Sequence, residues 1–389
     1  MSNSCDLCRN TALERVYAAR TSARKLTVYL CTHCGLLQNL PRGDRAPRWT
    51  GSASTGADRS HPRFGKGFRA ETNLATLKPF LPKNTPLRVL DVGANRGVFS
   101  LELKNAYPKA RIVGIEPDDR VVGAWAGQPG FTWLNARFED TRLEPEGFDL
   151  IYSCRTLEHL KSARAALLAH RAALAPNGYL FVEVPNVALL SSNDIVDEFF
   201  TEKHLYHFSA RTLARMLGAC GLRAIASADP RDTANITVVA VKSDDIPPEI
   251  AADPREVEAA SALISNYSAL RMRNLAELAH VARAIGGMAP RKVAVWGAGR
   301  LLNRLILNGG LKPQALAAVV DKHLTRYAGN IHGVRLAQPE ELTRMKPDIV
   351  VVMSRSFTED IRSQAHTHAP GCEVVAYDDL LAHAKTHAA

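Results

Sequence analysis

The sequence lacks several features that would place it in a specialised class of protein. No apolar run approaches the length that a transmembrane helix needs, and the N-terminus has no charged-then-apolar signal layout. We therefore expect a cytoplasmic protein with no membrane partner. Aromatic residues form only 6% of the chain, and Lys and Arg are dispersed although the net charge is +10. This pattern provides no basic platform interleaved with aromatics for RNA, and it favours either solvated surface or a general attraction for anions.

Cysteine is scarce beyond residue 34, where only three of the seven cysteines occur. The other four form two Cys-x-x-Cys pairs separated by 22 residues, and they are Cys5, Cys8, Cys31 and Cys34. Four thiolates in two such pairs are the ligand set of a closed, structural zinc site. A hairpin between the pairs would be too poor in apolar core to fold without the metal. We predict structural Zn²⁺ here; the alternative is redox-active or unpaired cysteines.

The segment Leu87–Gly97 predicts a buried parallel strand that runs through a tight turn into a helix. Gly93 and Gly97 provide the two places where a side chain would obstruct the backbone or a ligand. A second apolar strand follows and ends in Glu116 and Pro117. A carboxylate at the tip of the second strand can bind both hydroxyls of a ribose.

These residues resemble the nucleoside-binding half of class I S-adenosylmethionine-dependent methyltransferases. The family's first motif is an acid followed by three glycines at alternate positions, and here Asn95 stands in place of the middle glycine. Asn tolerates the left-handed backbone angles that the turn requires. The resemblance implies that S-adenosylmethionine is bound by Asp91, Gly93, Asn95, Gly97, Glu116, Pro117, Phe138, Glu139 and Cys154. Arg137 stands where an acid that contacts the adenine is expected, and the alternative for the whole motif is an α/β turn without a ligand.

A second informative stretch, residues 204–209, reads His-Leu-Tyr-His-Phe-Ser. It resembles the Glu-His-Leu-Tyr-aromatic-Ser run of sugar C-methyltransferases, with Lys203 in place of the Glu. The resemblance leaves His204 as the general base, since imidazole accepts a proton near neutral pH. The full set of candidate catalytic residues is His204, Glu202, Tyr206, Glu158 and His159. In this set, Glu202 or Glu158 orients the base, and Tyr206 forms a hydrogen bond with the acceptor. The alternative for His204 is a purely structural role, as a helix cap or a core residue. The Asn-Pro-Pro-aromatic motif of methylases that act on base amines is absent from the sequence.

The order of the predicted domains also resembles that of the sugar C-methyltransferases. We predict a zinc-binding module over 1–45, a methyltransferase domain over 46–245, a linker and long helix over 246–290, and a Rossmann-like domain over 291–389. Residues 41–66 read as a linker or a lid that carries Phe64 and Phe68. In the last domain Gly297, Gly299 and Asp321 would suit a dinucleotide, but Leu302 replaces the third glycine of that fingerprint. The resembling family uses this domain to frame a nucleotide-sugar, and the alternative is a purely structural half-Rossmann domain.

The sequence therefore predicts an α/β protein with a Rossmann-like class I methyltransferase core, a small zinc module and a second Rossmann-like domain. Its expected activity is C- or O-methylation of a nucleotide-activated sugar or a glycan-type acceptor, with S-adenosylmethionine as cofactor. One alternative is a zinc-containing RNA methyltransferase. Another is a non-catalytic protein that holds S-adenosylmethionine or a nucleotide-sugar.

Overall fold

The computed structural model describes residues 4–19, 26–41, 66–82, 85–119, 127–191, 198–227, 234–326, 328–354 and 357–386. The chain divides into two compact units. The first unit consists of Met1–Ser192 and Phe200–Asn266, and the second consists of Asn193–Phe199 and Tyr267–Ala389. The predicted lid lies almost wholly outside the described residues, as does Phe64, and the side chain of Phe68 is not described. Among the described helices, none is both long and apolar enough to span a bilayer.

A small antiparallel sheet surrounds the four N-terminal cysteines. Its strands, in spatial order, are β1 (Leu13–Ala18), β2 (Thr27–Cys31), β3 (Leu37–Asn39) and β9 (Tyr206–His207). The hairpin predicted between the two cysteine pairs is therefore confirmed as β1 and β2. The contribution of β9, from a segment some 170 residues further along the chain, was not predicted.

A seven-stranded sheet forms the centre of the first unit, in the order β10-β11-β8-β7-β4-β5-β6. The strands are β4 (Arg88–Val92), β5 (Arg111–Ile115), β6 (Phe131–Leu134), β7 (Phe148–Cys154), β8 (Leu174–Pro185), β10 (Leu222–Ser227) and β11 (Asn235–Lys242). Strands β4 to β8 pair in parallel, whereas β11 runs antiparallel to β8 and β10. The helices are α1 (Lys66–Leu77), α2 (Val98–Ala106), α3 (Ala163–Ala173) and α4 (Ala210–Ala219).

Local sequence signals explain where these elements begin and end. The sequence predicts an N-cap at Ser209, and Ser209 caps α4 with a reciprocal capping box to Thr212. The sequence also predicts a helix over about 71–81, whereas α1 spans Lys66–Leu77 and ends there because Pro79 disfavours helical geometry at Lys78. A strand is predicted from Tyr179, and β8 begins earlier, at Leu174.

The second unit is built on a six-stranded sheet in the order β14-β15-β13-β12-β16-β17. Its strands are β12 (Val293–Trp296), β13 (Ala318–Val320), β14 (Asn330–Ile331), β15 (Val334–Ala337), β16 (Ile349–Val352) and β17 (Glu373–Ala376). The remaining helices are α5 (Pro254–Gly286), which begins in the first unit, α6 (Arg300–Leu307), α7 (Leu342–Met345), α8 (Thr358–His368) and α9 (Tyr377–Thr386). All pairings except β14 with β15 are parallel. The predicted Rossmann-like α/β fold is thus present in both units.

Candidate functional site

The order of the central sheet places a crevice at the carboxyl ends of β4 and β7. The chain leaves β4 toward β5 and β6 on one side, and it later returns to β7 and β8 on the other. Ligands of open α/β sheets bind where the strand order reverses in this way. The loops that follow β4 and β7, residues 93–97 and 155–159, are therefore the walls of the candidate site.

The loop after β4 has the backbone that its glycines predict. Gly93, Asn95 and Gly97 all have positive φ, at 72°, 50° and 63°. The amide of Gly93 donates to the carbonyl of Ile115 at 2.9 Å, which fixes the turn against the end of β5. A Cβ atom on Gly93 would lie 2.2 Å from Thr156 Oγ1, so only glycine fits at this crossing of the two loops. Asn95 takes over the left-handed position of the family's middle glycine.

Glu116 lies where the sequence predicts a ribose-binding carboxylate, at the tip of β5. Its Oε2 accepts a hydrogen bond from the Asn95 amide at 2.8 Å, and its Oε1 accepts one from the Asp118 amide at 2.9 Å. These bonds hold the carboxylate beside the loop after β4 and use one lone pair of each oxygen. A carboxylate held in this place and orientation can bind the two adjacent hydroxyls of a ribose.

Asp91 supports the loop from below. Its side chain is buried, and it accepts a hydrogen bond from Ser100 Oγ in α2 at 2.6 Å. Burial, together with the nearby charge of Glu116, raises the pKa of Asp91 to about 7. The structure therefore places this predicted cofactor-binding residue as a brace between β4 and α2.

The other predicted cofactor residues have mixed surroundings. Pro117 is exposed beside Glu116, and Cys154 is half-buried at the end of β7. Phe138 is buried in the core with its ring 4.7 Å from that of His170. Glu139 is exposed and accepts a hydrogen bond from the Lys161 amide at 3.1 Å. Cys154 directly precedes the loop after β7, and Pro117 directly follows Glu116.

The loop after β7 brings three of the predicted catalytic residues together. One ligand-type atom each of Glu158, His159 and His204 lies within 4.8 Å of the others. Glu158 is fully buried, and burial raises the pKa of its carboxyl group. His159 Nε2 lies 3.8 Å and Arg155 Nε 3.5 Å from Glu158 Oε1. The sequence placed these residues in one catalytic set, and the fold brings them to one point.

His204 is held as a neutral imidazole. Burial, reinforced by the imidazoles of His159 and His207, lowers the pKa of His204 to about 2. The rings of His159 and His204 lie 4.9 Å apart in an edge-to-face arrangement. A neutral ring keeps a lone pair for a proton or a metal ion, and a nearby carboxylate such as Glu158 would stabilise the charged form.

The remaining two predicted catalytic residues, Tyr206 and Glu202, are not part of this three-residue cluster. Tyr206 is buried, and its hydroxyl donates to the carbonyl of Lys161 at 2.8 Å. This placement does not support the predicted hydrogen bond from Tyr206 to the acceptor. Glu202 is half-buried two residues before His204.

The N-terminal region with the four cysteines, here called the cysteine module (residues 4–41), forms hydrogen bonds with the segment that carries His204. Strand β3 pairs with β9, and the Asn39 side chain donates to the carbonyl of His204 and lies 3.0 Å from His207 Nε2. Asp6, between the first two cysteines, accepts hydrogen bonds from Ser162 Oγ at 2.9 Å and the Arg164 amide at 3.0 Å. Residues on both sides of the candidate site therefore depend on the folding of this module.

The four cysteines form two equivalent turns whose sulfur atoms converge. In each turn the residue after the second cysteine has positive φ and donates its amide to the first, Arg9 to Cys5 and Gly35 to Cys31, both at 2.9 Å. The Sγ atoms of Cys5 and Cys34, and those of Cys8 and Cys31, are 3.5 Å apart. Tetrahedral Zn–S bonds of about 2.3 Å separate sulfurs by roughly 3.8 Å, so the donor set fits zinc with a small expansion.

A buried polar network at the ends of β7 and β8 was missed from the sequence. Asn73 Nδ2 donates to Tyr152 Oη at 2.9 Å and to Glu183 Oε2 at 3.0 Å, and Arg69 Nε lies 3.2 Å from Glu183 Oε1. Glu183 is only 2% exposed. A single acid within the apolar run Tyr179–Pro185 is the signal that could have revealed it, because an unpaired buried carboxylate is too costly to keep.

The second unit repeats the arrangement of Glu116 in its own sheet. Gly297 follows β12 with φ of 116°, and the next amide, that of Ala298, donates to Asp321 Oδ2 at 3.1 Å. Asp321 Oδ1 accepts from the amides of His323 and Leu324 at 2.9 and 2.8 Å. The predicted glycine turn and acid are thus brought together at the carboxyl ends of β12 and β13.

Comparisons with known proteins agree with this architecture. Residues 66–227 match the family model described as a methyltransferase domain, and residues 289–369 match one described as C2185-like, N-terminal. The C-methyltransferase NovU of Streptomyces niveus is 30% identical over 142 residues, which cover 35% of this chain and 33% of that relative. The chain thus matches about one third of the length of this curated relative.

Solved structures of methyltransferases are also similar in part. A S-adenosylmethionine-dependent methyltransferase from Mesorhizobium loti has a TM-score of 0.36 at 17% identity, over 43% of this chain and 97% of that chain. One from Leishmania major has a TM-score of 0.36 at 23% identity, over 45% of this chain and 72% of that chain. The family match confirms the prediction of a class I S-adenosylmethionine-dependent methyltransferase domain for residues 66–227.

Proposed function

Starting from a methyltransferase domain over residues 66–227, we propose that the protein methylates a nucleotide-activated sugar or a glycan-type acceptor at carbon or oxygen. The observation that carries the proposal is the position of Glu116. Its carboxylate is fixed by two amides beside the crevice where the strand order reverses, at the tip of the second strand. That is the position from which an acid binds a ribose.

The chain's own residues would hold S-adenosylmethionine at this crevice. Glu116 accepts hydrogen bonds from the ribose, Gly93 leaves room between the two loops, and the first amides of α2 face an anionic carboxylate. When bound, S-adenosylmethionine supplies an electrophilic methyl group on a sulfonium. The contribution of the protein to rate is then chiefly to hold acceptor and methyl group in line and in contact.

On the acceptor side, we assign the general base to His204. A neutral ring nitrogen of His204 takes the proton from the acceptor's hydroxyl, or from a carbon next to a keto group. The electron pair left on the acceptor atom would then be available to the methyl group that bound S-adenosylmethionine would supply. Glu158 stabilises the imidazolium through its charge, with Glu202 as the alternative partner. Burial lowers the pKa of His204 to about 2, below the near-neutral value expected from the sequence, so its action as a base depends on an ionised Glu158 beside it. General-base catalysis then contributes at most about 10²–10⁴ in rate.

The second unit supports an acceptor that carries a nucleotide. Asp321 is fixed by backbone amides at the end of β13, as Glu116 is at the end of β5. We propose that the nucleotide moiety of such an acceptor binds beside Asp321. We further propose that Cys5, Cys8, Cys31 and Cys34 hold a structural Zn²⁺, which the converging sulfur atoms support.

The experiment is an acceptor panel read by mass. The purified protein is incubated with S-adenosylmethionine and nucleotide-activated keto-sugars, glycans or RNA, with His204→Ala as the matched inactive control. A gain of one methylene on a sugar acceptor, absent with the variant, supports the proposal. If RNA is methylated instead, and its binding depends steeply on salt, the acceptor is RNA and the sugar proposal is wrong. If the protein retains the cofactor tightly but methylates no acceptor, the protein is not a catalyst.

A further inference from the structure

Glu158 is a buried carboxylate whose chemistry the fold does not explain. Its side chain is 0% exposed, and among the described residues no other residue donates a hydrogen bond to either of its oxygens. Its nearest cationic group, Arg155 Nε, is 3.5 Å from Oε1. Because an unsatisfied buried carboxylate is costly, such a group in a native structure indicates a missing partner.

The hydrogen bond of His159 indicates what that partner is. His159 Nδ1 lies 2.8 Å from the carbonyl oxygen of Lys203, which can only accept, so Nδ1 carries the proton. In the neutral ring, Nε2 then has a bare lone pair, and this atom is the one 3.8 Å from Glu158 Oε1. A lone pair that faces a carboxylate needs a positive charge beside it, and that charge is either a proton on Nε2 or a metal ion. A backbone carbonyl on the other ring nitrogen is also the usual outer-shell partner of a metal-binding histidine.

We propose that Glu158, His159 and His204 form a binding site for a divalent transition-metal ion, separate from the four-cysteine site. Two imidazoles and one carboxylate are donors that suit Zn²⁺, Co²⁺, Ni²⁺ or Fe²⁺ better than Mg²⁺ or Ca²⁺. The three donor atoms lie within 4.8 Å of one another. Two bonds of about 2.1 Å at a tetrahedral angle separate their donor atoms by roughly 3.4 Å, so the side chains must move together by up to about 1.4 Å on binding.

The surroundings give the ion an entry path and open positions. The His159 side chain is 33% exposed, so the cluster reaches solvent on that side while Glu158 closes it on the other. Three protein ligands leave at least one coordination position for water or for an oxygen of a ligand. Arg155 competes for the carboxylate, which makes imidazole coordination the larger source of affinity and favours transition metals further.

The consequence for activity rests on the proposed function, although binding of the ion does not. An ion on His204 occupies the lone pair that the proposed proton transfer needs. The same ion should therefore inhibit methyl transfer, and a chelator weaker than the four-cysteine site should restore it. The cluster would then couple the enzyme to free transition-metal ions.

The test is a metal titration of the full chain after its zinc content has been measured. Zn²⁺ binding is followed by calorimetry, and Co²⁺ binding by its visible absorption, since nitrogen and oxygen ligands lack the strong charge-transfer bands of thiolates. We expect one ion per chain beyond the four-cysteine site. Glu158→Gln and His204→Ala should each weaken this ion by roughly tenfold or more, whereas His366→Asn, a change on the exposed face of α8, should not.

The outcomes separate this inference from the proposed function. No additional ion on the unmodified protein, or unchanged affinity in both variants, overturns the metal site. Because Glu158 is buried, His159→Asn serves as a second, more exposed change that should also weaken the ion. Binding that leaves methyl transfer unaffected would retain the site and reject His204 as the base.

Discussion

Replacing Gly93 by Ala tests the crossing of the two loops that defines the site. The backbone at Gly93 has φ of 72°, which costs an alanine about 1–2 kcal/mol. The new Cβ would also lie 2.2 Å from Thr156 Oγ1 and 2.9 Å from its Cγ2. Thr156 cannot rotate away freely, because its hydroxyl donates to the carbonyl of Val92 at 3.0 Å. The displacement adds about 1–3 kcal/mol.

The expected loss for Gly93→Ala is therefore about 3 kcal/mol, or a fall of roughly 6 to 12 °C in melting temperature. The matched control is Gly127→Ala, which has φ of 85° but no atom within 4 Å of its Cβ among the described residues. Urea unfolding followed by circular dichroism should show about 2 kcal/mol more loss at Gly93. Thr156→Ala should recover much of that excess in the double variant. Equal losses at the two glycines would refute the steric argument.

Three further outcomes follow from the site. The pKa of about 7 for Asp91 lies above the value near 4 of an unfolded chain, so the native state binds the proton more tightly. The free energy of unfolding should then fall as pH rises from about 4 to 7. Asp91→Asn should remove this pH dependence and stabilise the protein at pH 8 by up to about 4 kcal/mol, as measured by chemical unfolding. A pH dependence that persists in the variant would contradict this assignment to Asp91. Removal of zinc by a chelator, or the variant Cys31→Ser, should lower both the melting temperature and the turnover. Adding zinc back should restore the chelated protein but not the Cys31→Ser variant. The control variant Cys372→Ser should behave as the unmodified chain. His204→Ala should reduce turnover by about 10²–10⁴ while the affinity for S-adenosylhomocysteine is unchanged, and an unaffected turnover would exclude the assigned base.

Much of the fold was predictable because its signals are local. The strand before Gly93, the capping box at Ser209 and the two cysteine pairs each combine a period or spacing with a fixed physical role. Strand β9 has only two residues and β3 only three, too few to show a period. Their pairing depends on tertiary contacts, which no window of sequence contains.

The candidate site was predictable in part for the same reason. Glu116 follows from the end of a strand, and its position was predicted. Phe138 and Tyr206 were assigned by type and neighbourhood, but their orientation depends on packing, which buries Phe138 against His170 and directs the Tyr206 hydroxyl to Lys161. The convergence of Glu158 with His204 depends on the loop after β7 meeting a segment more than 40 residues away.

The measurement that tests the central claim most directly is calorimetric binding of S-adenosylhomocysteine to Glu116→Gln, with Asp321→Asn as the matched control in the second unit. Loss of charge-assisted hydrogen bonds to the ribose should weaken binding by about 3 kcal/mol, or roughly 100-fold. The Asp321→Asn variant should bind as the unmodified protein does. Absence of heat with the unmodified protein, or equal affinity in the Glu116→Gln variant, would contradict the account.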